Sequence, residues 1–280
     1  MATTSELTPV ISLSGLVKQF GFGEAGTRAL DGVDLTIEQG EFVAIMGPSG
    51  CGKTTLLNII GLLDKPTAGS YRLNGRYASK LSRRRQAKLR ATDIGFVFQS
   101  FNLLPRLSVI ENVALPLTYT GGARYKQLEK ASVLLKTFGL GDREYYLPNQ
   151  LSGGQTQRVA IARALIGEPS IILADEPTGN LDSRNSEIIM DELTRIHRRG
   201  NTIIMVTHNP ELLAYASRVI HMKDGKISQD LELTDTAAHR QTSHFISQRK
   251  LQRKNPRQVL IKNKKHQRRL RRQAKKGAAK

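Results

Sequence analysis

The stretch Gly47-Pro48-Ser49-Gly50-Cys51-Gly52-Lys53-Thr54 constrains this chain more than any other. It follows the apolar run Glu41 to Met46, and Leu56, Leu57, Ile60 and Leu63 come after it at helical spacing. Strand, glycine loop, helix is the order in which a phosphate-binding loop works. The glycines let the backbone curl so that its N–H groups face phosphate oxygens, and the helix N-terminus adds positive potential. Lys53 is then placed for the β- and γ-phosphates, and the Thr54 hydroxyl, followed by Thr55, for Mg²⁺. The pattern arises by chance in roughly 1% of chains this long, and the strand-helix context lowers that further. It predicts a nucleoside triphosphatase without saying which one.

The rest of the chain is organised around this unit. Val10 to Val17 and Val33 to Ile37 are β-branched runs on either side of the glycine-rich Gly21 to Gly26, which predicts two antiparallel strands. Ile94 to Phe98 predicts another strand. From Ser108 to Leu140 the apolar spacing turns helical, with Leu128, Ala131, Leu135 and Phe138 closing at the C-cap candidate Gly139. Gly154 to Ile166 predicts a further helix, stopped by Gly167 and Pro169. Ile171 to Ala174 and Thr202 to Val206 read as buried parallel strands around a helix at Ser186 to His197. Lys223-Asp224-Gly225-Lys226 predicts a hairpin between Arg218 to Met222 and Ile227 to Gln229. The expectation is an α/β core with a helical insertion between Phe98 and Leu151, and no internal repeat.

Two other places carry chemistry. Ile171 to Glu176 sets two carboxylates at the carboxyl end of a buried strand, where ligands bind in such sheets. Asp175 can hold Mg²⁺ there and Glu176 can polarise an attacking water; taken alone, an acidic pair before Pro177 is as readily a turn. Leu151-Ser152-Gly153-Gly154-Gln155 opens a helix, with Ser152 as N-cap and two glycines baring backbone N–H groups. One nucleotide needs only one γ-phosphate cradle, so this second anion site suggests a nucleotide shared between two subunits. A capped helix with a tight leading turn accounts for Ser152 but leaves both glycines and Gln155 unexplained.

Leu151 to Gln155 resembles the signature motif of the ABC ATPases, and that family's other motifs follow in the family's order over about residues 10 to 230. Gln99 resembles the Q-loop glutamine, Gly179-Asn180-Leu181-Asp182 the D-loop, and His208 the switch histidine. Phe20 falls where the family has an aromatic, usually Tyr, that stacks on adenine; Phe keeps the stacking face. A finer likeness, to macrolide-export, lipoprotein-release and cell-division ATPases, is carried by Ala44 to Gly50, Ile94 to Gln99, Phe101 to Pro105 and Glu111 to Val113. Two positions depart from the pattern: Cys51 stands for the commoner Ser and puts a thiol beside the phosphates, and Thr156 stands for a second Gln.

The resemblance implies a P-loop NTPase of the ABC ATPase type, an α/β core with an antiparallel β subdomain and a helical part at about 99–167, together spanning 1–238. It implies that two copies sandwich two ATP with Mg²⁺ and drive a separate transmembrane permease, in export or mechanotransmission. Catalysis would fall to Lys53, Gln99, Glu176 and His208. Nucleotide contacts would come from Phe20, from Gly47, Pro48, Ser49, Gly50, Cys51, Gly52, Lys53, Thr54 and Thr55, and, toward the partner's nucleotide, from Ser152, Gly153, Gly154, Gln155 and Asp182. Thr54, Gln99 and Asp175 would serve Mg²⁺. Phe101 to Leu107 lies near the groove that receives a permease's coupling helix in the family; exposed it would dock, buried it would be core.

Charge is unevenly placed along the 280 residues, whose formal net charge is +19. Thr236 to Lys280 holds 16 basic and no acidic residues, leaving 27 basic against 24 acidic before it. That composition predicts disorder for 239–280 and an attraction to anionic lipid head groups. Nucleic acid would draw the same charges, so the rival reading is a soluble ABC ATPase acting on nucleic acid or the ribosome. Arg83-Arg84-Arg85 with Arg76, Lys80, Lys88 and Arg90 predicts a basic helix, read first as a solvated face and second as a lipid contact. No apolar run approaches the length of a membrane span, and the N-terminus has no signal-peptide order. A single cysteine forms no internal disulfide and reads as an inert thiol without a resolving partner. The expected location is the cytoplasmic face of the cell membrane.

Overall fold

β1 (Pro9–Phe20) and β2 (Thr27–Glu38) pair antiparallel. In β2, Val33, Leu35 and Ile37 alternate with polar neighbours, and all three are buried, so a period of two fixes the inward face. The computed structural model describes residues 9–21 and 26–233; the expected tail at 239–280 and most of the glycine-rich loop lie outside them. β3 (Phe42–Met46) leads into the phosphate-binding loop and α1 (Lys53–Ile60). α1 stops earlier than the apolar spacing suggests. Leu62 takes a left-handed φ of 58°, and Leu63 falls outside the helix and is exposed.

β4 (Ala68–Leu73) and β5 (Arg76–Tyr77) complete a four-stranded sheet in the order β2-β1-β4-β5. Neither is foreseen from the sequence, because only Tyr71 and Leu73 of β4 point inward and two apolar residues make no pattern. The basic helix is α2 (Arg83–Thr92); Arg76 belongs to β5 and Lys80 to the turn before α2, so the expected helix is shorter.

β6 (Ile94–Phe98) precedes the helical insertion, where Pro116 and the paired glycines at 121 and 122 break the expected helical run. The outcome is α3 (Val109–Ala114), a 3₁₀ turn at Leu115–Tyr119, and α4 (Arg124–Thr137) closing at Gly139 with φ 66°. α5 (Gly153–Leu165) lies against β6 and packs on α3 and α4.

β7 (Ile171–Asp175), α6 (Ser183–His197), β8 (Thr202–Val206), β9 (Arg218–Lys223) and β10 (Lys226–Glu232) finish the fold. The second sheet runs β10-β9-β3-β8-β7-β6, parallel except for the β9–β10 hairpin. Its central strands β3 and, beyond Thr202, β8 are apolar runs because both faces are covered. The parallel order brings the carboxyl ends of β3, β8, β7 and β6 side by side on one edge, about 4.8 Å apart from strand to strand.

Close approach of α5 to β6 depends on Gly95. A Cβ there would stand 2.5 Å from the Ala164 carbonyl oxygen and 2.7 Å from Ile172 Cδ1. Gly95→Ala is expected to lower stability by about 1–3 kcal/mol through overpacking, seen as a lower urea midpoint at unchanged slope.

Candidate functional site

The loop after β3 is shaped by contacts on its outer side. A Cβ on Gly47 would stand 2.2 Å from the Met222 carbonyl oxygen, and one on Gly52 2.3 Å from that of Ala29. Neither position admits a side chain. The Gly225 N–H donates to the Cys51 carbonyl at 3.1 Å, and the Asp31 N–H donates to the Gly225 carbonyl at 2.9 Å. The β9–β10 hairpin, foreseen from Asp224-Gly225, therefore braces the phosphate loop from behind and ties it to β2. On the open side Pro48, Ser49 and Gly50 are exposed, as is Thr54 in the first turn of α1. Lys53 Nζ donates to the carbonyls of Gly47 at 2.8 Å and Pro48 at 2.9 Å. Cys51 is buried against the core cluster, and its thiol lies 4.0 Å from Lys53 Nζ.

Two strands over, Asp175 ends β7 and Glu176 follows with a left-handed φ of 46°. A non-glycine residue held there carries local strain. Its N–H continues the sheet by donating to the Val206 carbonyl at 2.9 Å. Its carboxylate is aimed at the end of β8: Oε1 accepts the His208 N–H at 3.0 Å and lies 2.6 Å from His208 Nδ1, while Oε2 accepts the Thr207 hydroxyl at 3.4 Å. Asp175 has its carboxyl pKa raised, first by burial and next by the neighbouring Glu176 charge, against a smaller opposing pull from Lys53.

Gln99 is exposed just beyond β6, and Asn180 Nδ2 donates to its carbonyl at 3.0 Å. The loop that follows is held from two sides. Arg163 of α5 donates to the Phe101 carbonyl at 2.8 Å and to that of Asn102 at 2.5 Å, and both those residues have left-handed φ. Burial lowers the Arg163 pKa to about 10. Asn112, fully buried on α3, accepts the Leu104 N–H and donates to the carbonyls of Leu104, Leu107 and Ser108. Leu104 is left 45% exposed between these anchors, with Pro105 and Arg106 exposed beside it. Of Phe101 to Leu107, Asn102, Leu104, Pro105 and Arg106 are exposed and Phe101, Leu103 and Leu107 half-buried, so the segment is displayed at its tip and packed at its ends.

Ser152 caps α5 in a capping box: Gln155 N–H donates to Ser152 Oγ at 3.4 Å, and the Ser152 N–H donates to Gln155 Oε1 at 2.9 Å. Gly154 packs closely on α6, since a Cβ would stand 2.3 Å from Asn185 Oδ1 and displace that side chain. The plain capped-helix reading thus explains Gln155 and Gly154 as well as Ser152, leaving Gly153 exposed, where an added Cβ would meet Leu181 only at an ordinary 3.4 Å. The hydrogen bonds of Ser152–Gln155 run within the first turns of α5, none to the phosphate loop of the same chain. Asp182 caps α6, accepting the Asn185 N–H and its side-chain amide at 2.8 Å each; those bonds hold its carboxyl below the usual range. Phe20 ends β1 with its ring 49% exposed and Lys18 Nζ 4.9 Å from the centroid.

Gln157 was not singled out from the sequence. It is fully buried on α5 and donates to the Pro177 carbonyl at 2.7 Å, joining the Ser152 helix to the turn after Glu176. A signal existed: an amide one helical turn before Ala160 and Ile161, on the face those residues bury.

A family model described as ABC transporter matches residues 30–179. The chain is 49% identical over 218 residues to an uncharacterized ABC transporter ATP-binding protein, YknY, of Bacillus subtilis, covering 78% of this chain and 95% of that protein. It is 50% identical over 222 residues to the macrolide export ATP-binding/permease protein MacB of Hyphomonas neptunium, covering 79% of this chain but 34% of that protein. The chain therefore spans about a third of that macrolide export protein. A solved dimeric structure of the ATP-binding cassette MJ0796, in a post-hydrolysis state bound to ADP and Pi, superposes with a TM-score of 0.74 at 43% identity, over 81% of this chain and all of that one.

The raised pKa of Asp175 has a consequence for stability. A carboxyl that holds its proton more tightly when folded penalises the folded state once ionised. The penalty is present at pH 7 and fades as pH falls through the raised value toward the ordinary 3.8. Asp175→Asn is expected to raise the melting temperature at pH 7, with the gap to wild type closing in acid.

Proposed function

The chain belongs to the ABC transporter family and is an ATPase; from that premise we propose that two copies enclose two ATP and drive a separate membrane permease from its cytoplasmic face. The observation that carries the reading is the row of groups at the carboxyl edge of the second sheet: the Gly47–Thr54 loop after β3, His208 after β8, Glu176 after β7 and Gln99 after β6. Each stands on a strand that neighbours the next.

In this reading the N–H groups of residues 47–55 and Lys53 hold the phosphates, and Phe20 stacks on adenine. Glu176 takes a proton from water as that water attacks the γ-phosphorus in line and the bond to the ADP oxygen breaks, giving ADP and phosphate. Its Oε1 is already occupied by His208, so Oε2, held only by the longer Thr207 contact, is the oxygen that receives the proton. Lys53 and His208 face the charge that develops on the γ-phosphoryl group.

Thr54, Asp175 and Gln99 are the residues that would hold Mg²⁺. They form an all-oxygen donor set with one carboxylate, and among the described residues no group of three or more His, Cys, Asp or Glu could hold a metal by itself. That suits an ion which takes one or two carboxylates and completes its shell with water and substrate phosphates. When bound it supplies charge to the β- and γ-phosphate oxygens.

The exposed N-terminus of α5 at Ser152 and Gly153, out of contact with its own phosphate loop, supports the shared-nucleotide arrangement, as does the dimeric MJ0796 cassette. The loop 101–107, displayed between Arg163 and Asn112, is the surface offered to the permease. The separate permease follows the pattern of the B. subtilis relative, a protein named as ATP-binding that this chain spans almost fully. Among the described residues no helix is long and apolar enough to cross a membrane. The nucleotide-binding domain is assigned to 1–238, with its helical part at about 99–167.

Loss of the base should slow hydrolysis while leaving the cradle whole. Glu176→Gln is expected to cut turnover by at least about 100-fold, the lower range for a general base, and to accumulate an ATP dimer on gel filtration with Mg²⁺. Hydrolysis at the normal rate would remove Glu176 from this role.

The enclosed-nucleotide reading is tested by mixing inactive chains. Ser152→Arg and Lys53→Ala are each expected to abolish hydrolysis alone. A heterodimer of the two keeps one sound composite site, so part of the activity should return. Confirmed heterodimers with no recovered hydrolysis, assayed with the permease if turnover requires it, would refute the arrangement.

A further inference from the structure

Between Asp64 and Asp93 the chain carries nine Lys or Arg and no Asp or Glu, whereas the rest of its first 235 residues hold 18 cations against 24 carboxylates. The fold gathers this segment on one side: β4 and β5 form the outer edge of the first sheet, and α2 follows directly. Arg76 and Lys80, and Arg84, Arg85 and Lys88 of α2, are all exposed, and among the described residues none of the five forms an ion pair. Arg218, by contrast, stands between Glu41 and Asp230. The first turn of α2 is Arg83 to Arg85 with no acidic residue, opposite to what the helix dipole favours, and only Gln86 and Ala91 of the helix are buried. Neither helix formation nor core packing accounts for this sequence.

Tyr77 stands among these charges, half exposed, with the Arg72 guanidinium 4.2 Å and Lys80 Nζ 6.0 Å from its ring centroid. An amphipathic ring flanked by unpaired cations suits the boundary between lipid head groups and acyl chains. It suits a nucleic acid less well, since stacking a base needs a ring face free of other groups. A cavity of about 130 Å³ opens beside it, bounded by Leu73, Asn74, Arg76, Leu89 and Asp93. The Asp93 carboxylate repels a phosphate from that cavity, so the cations act from the open surface and net charge, not head-group shape, decides the contact.

We propose that the face made by the β4–β5 edge and the outer side of α2 rests on an anionic lipid surface. This goes beyond the permease reading, because the contact is with lipid and needs no permease. Each cation held at such a surface raises partition about fivefold, and salt weakens the attraction.

The 280-residue chain holds no tryptophan, so Tyr77→Trp places a single reporter on the face. With vesicles of phosphatidylcholine containing dibrominated phosphatidylglycerol, its emission is expected to be quenched, and equally so with brominated phosphatidylserine at the same surface charge. Vesicles of brominated phosphatidylcholine alone should leave it unchanged. Adding Arg84→Gln, Arg85→Gln and Lys88→Gln should abolish the quenching and lower vesicle binding on the order of 100-fold. These side chains are exposed and unpaired, so the melting temperature should hold; if the triple variant melts early, Lys88→Gln alone should lose about fivefold. A reporter that stays unquenched while the chain sediments with vesicles would overturn the proposal and leave lipid binding to residues beyond 235. Emission that responds to a single-stranded RNA oligonucleotide in excess anionic vesicles would overturn it in favour of a nucleic-acid face.

Discussion

The hydrogen bond from the Gly225 N–H to the Cys51 carbonyl is the contact on which the site depends. It fixes the phosphate loop to a hairpin some 170 residues later in the chain, and the next bond, Asp31 N–H to Gly225 carbonyl, ties that hairpin to the first sheet. Glycine at 47 and 52 lets the loop press against Met222 and Ala29 with no intervening side chain. A loop whose open side must present backbone N–H groups has few internal bonds of its own, so its shape is imposed by what stands behind it. The Cys51 thiol is buried beside Lys53 and close to Gly47, where an added Cβ would stand 2.7 Å from it.

α5 is the second organising element. At its first turn Ser152 and Gln155 satisfy each other; in its middle Gln157 holds the Pro177 carbonyl; at its last turn Arg163 holds the carbonyls of Phe101 and Asn102. Thirteen helical residues span about 20 Å. One rigid rod thus touches the proposed partner-facing loop, the turn after Glu176 and the loop after Gln99. The buried bond of Gln157 makes the arrangement specific, because displacing it strands an unsatisfied Pro177 carbonyl. Strain collects at the same places, with left-handed φ at Phe101, Asn102 and Glu176.

Electrostatics divides the molecule by task. At the carboxyl edge of the second sheet Asp175 and Glu176 stand side by side, and burial with mutual repulsion raises the pKa of Asp175, so the fold gives up stability where it gathers function. On the β4–β5 and α2 side, cations stand unpaired in solvent, where each is well hydrated and costs the fold little.

The sequence by itself determined what depends on neighbours along the chain. The phosphate loop between strand and helix, the buried strands running to Met46, Ala174 and Val206, the Asp224-Gly225 hairpin and the Ser152 cap are local chemistry, legible from residue type and spacing. The family's motif order named Gln99, Asp182 and His208 as well. β4 and β5 escaped because their inward face is two residues deep, and α1 fell short of Leu63 because Leu62 turns left-handed. Gln157, Arg163 and Asn112 escaped, apart from the faint signal of an amide on an apolar helix face, because a buried polar side chain acquires its role only from the carbonyl it meets. The burial of Cys51, the occupation of Glu176 Oε1 by His208 and the bracing of the phosphate loop by Gly225 were likewise decided by tertiary structure alone. In each case the partner lies far away in sequence, and no local pattern records a contact that exists only once the sheets have closed.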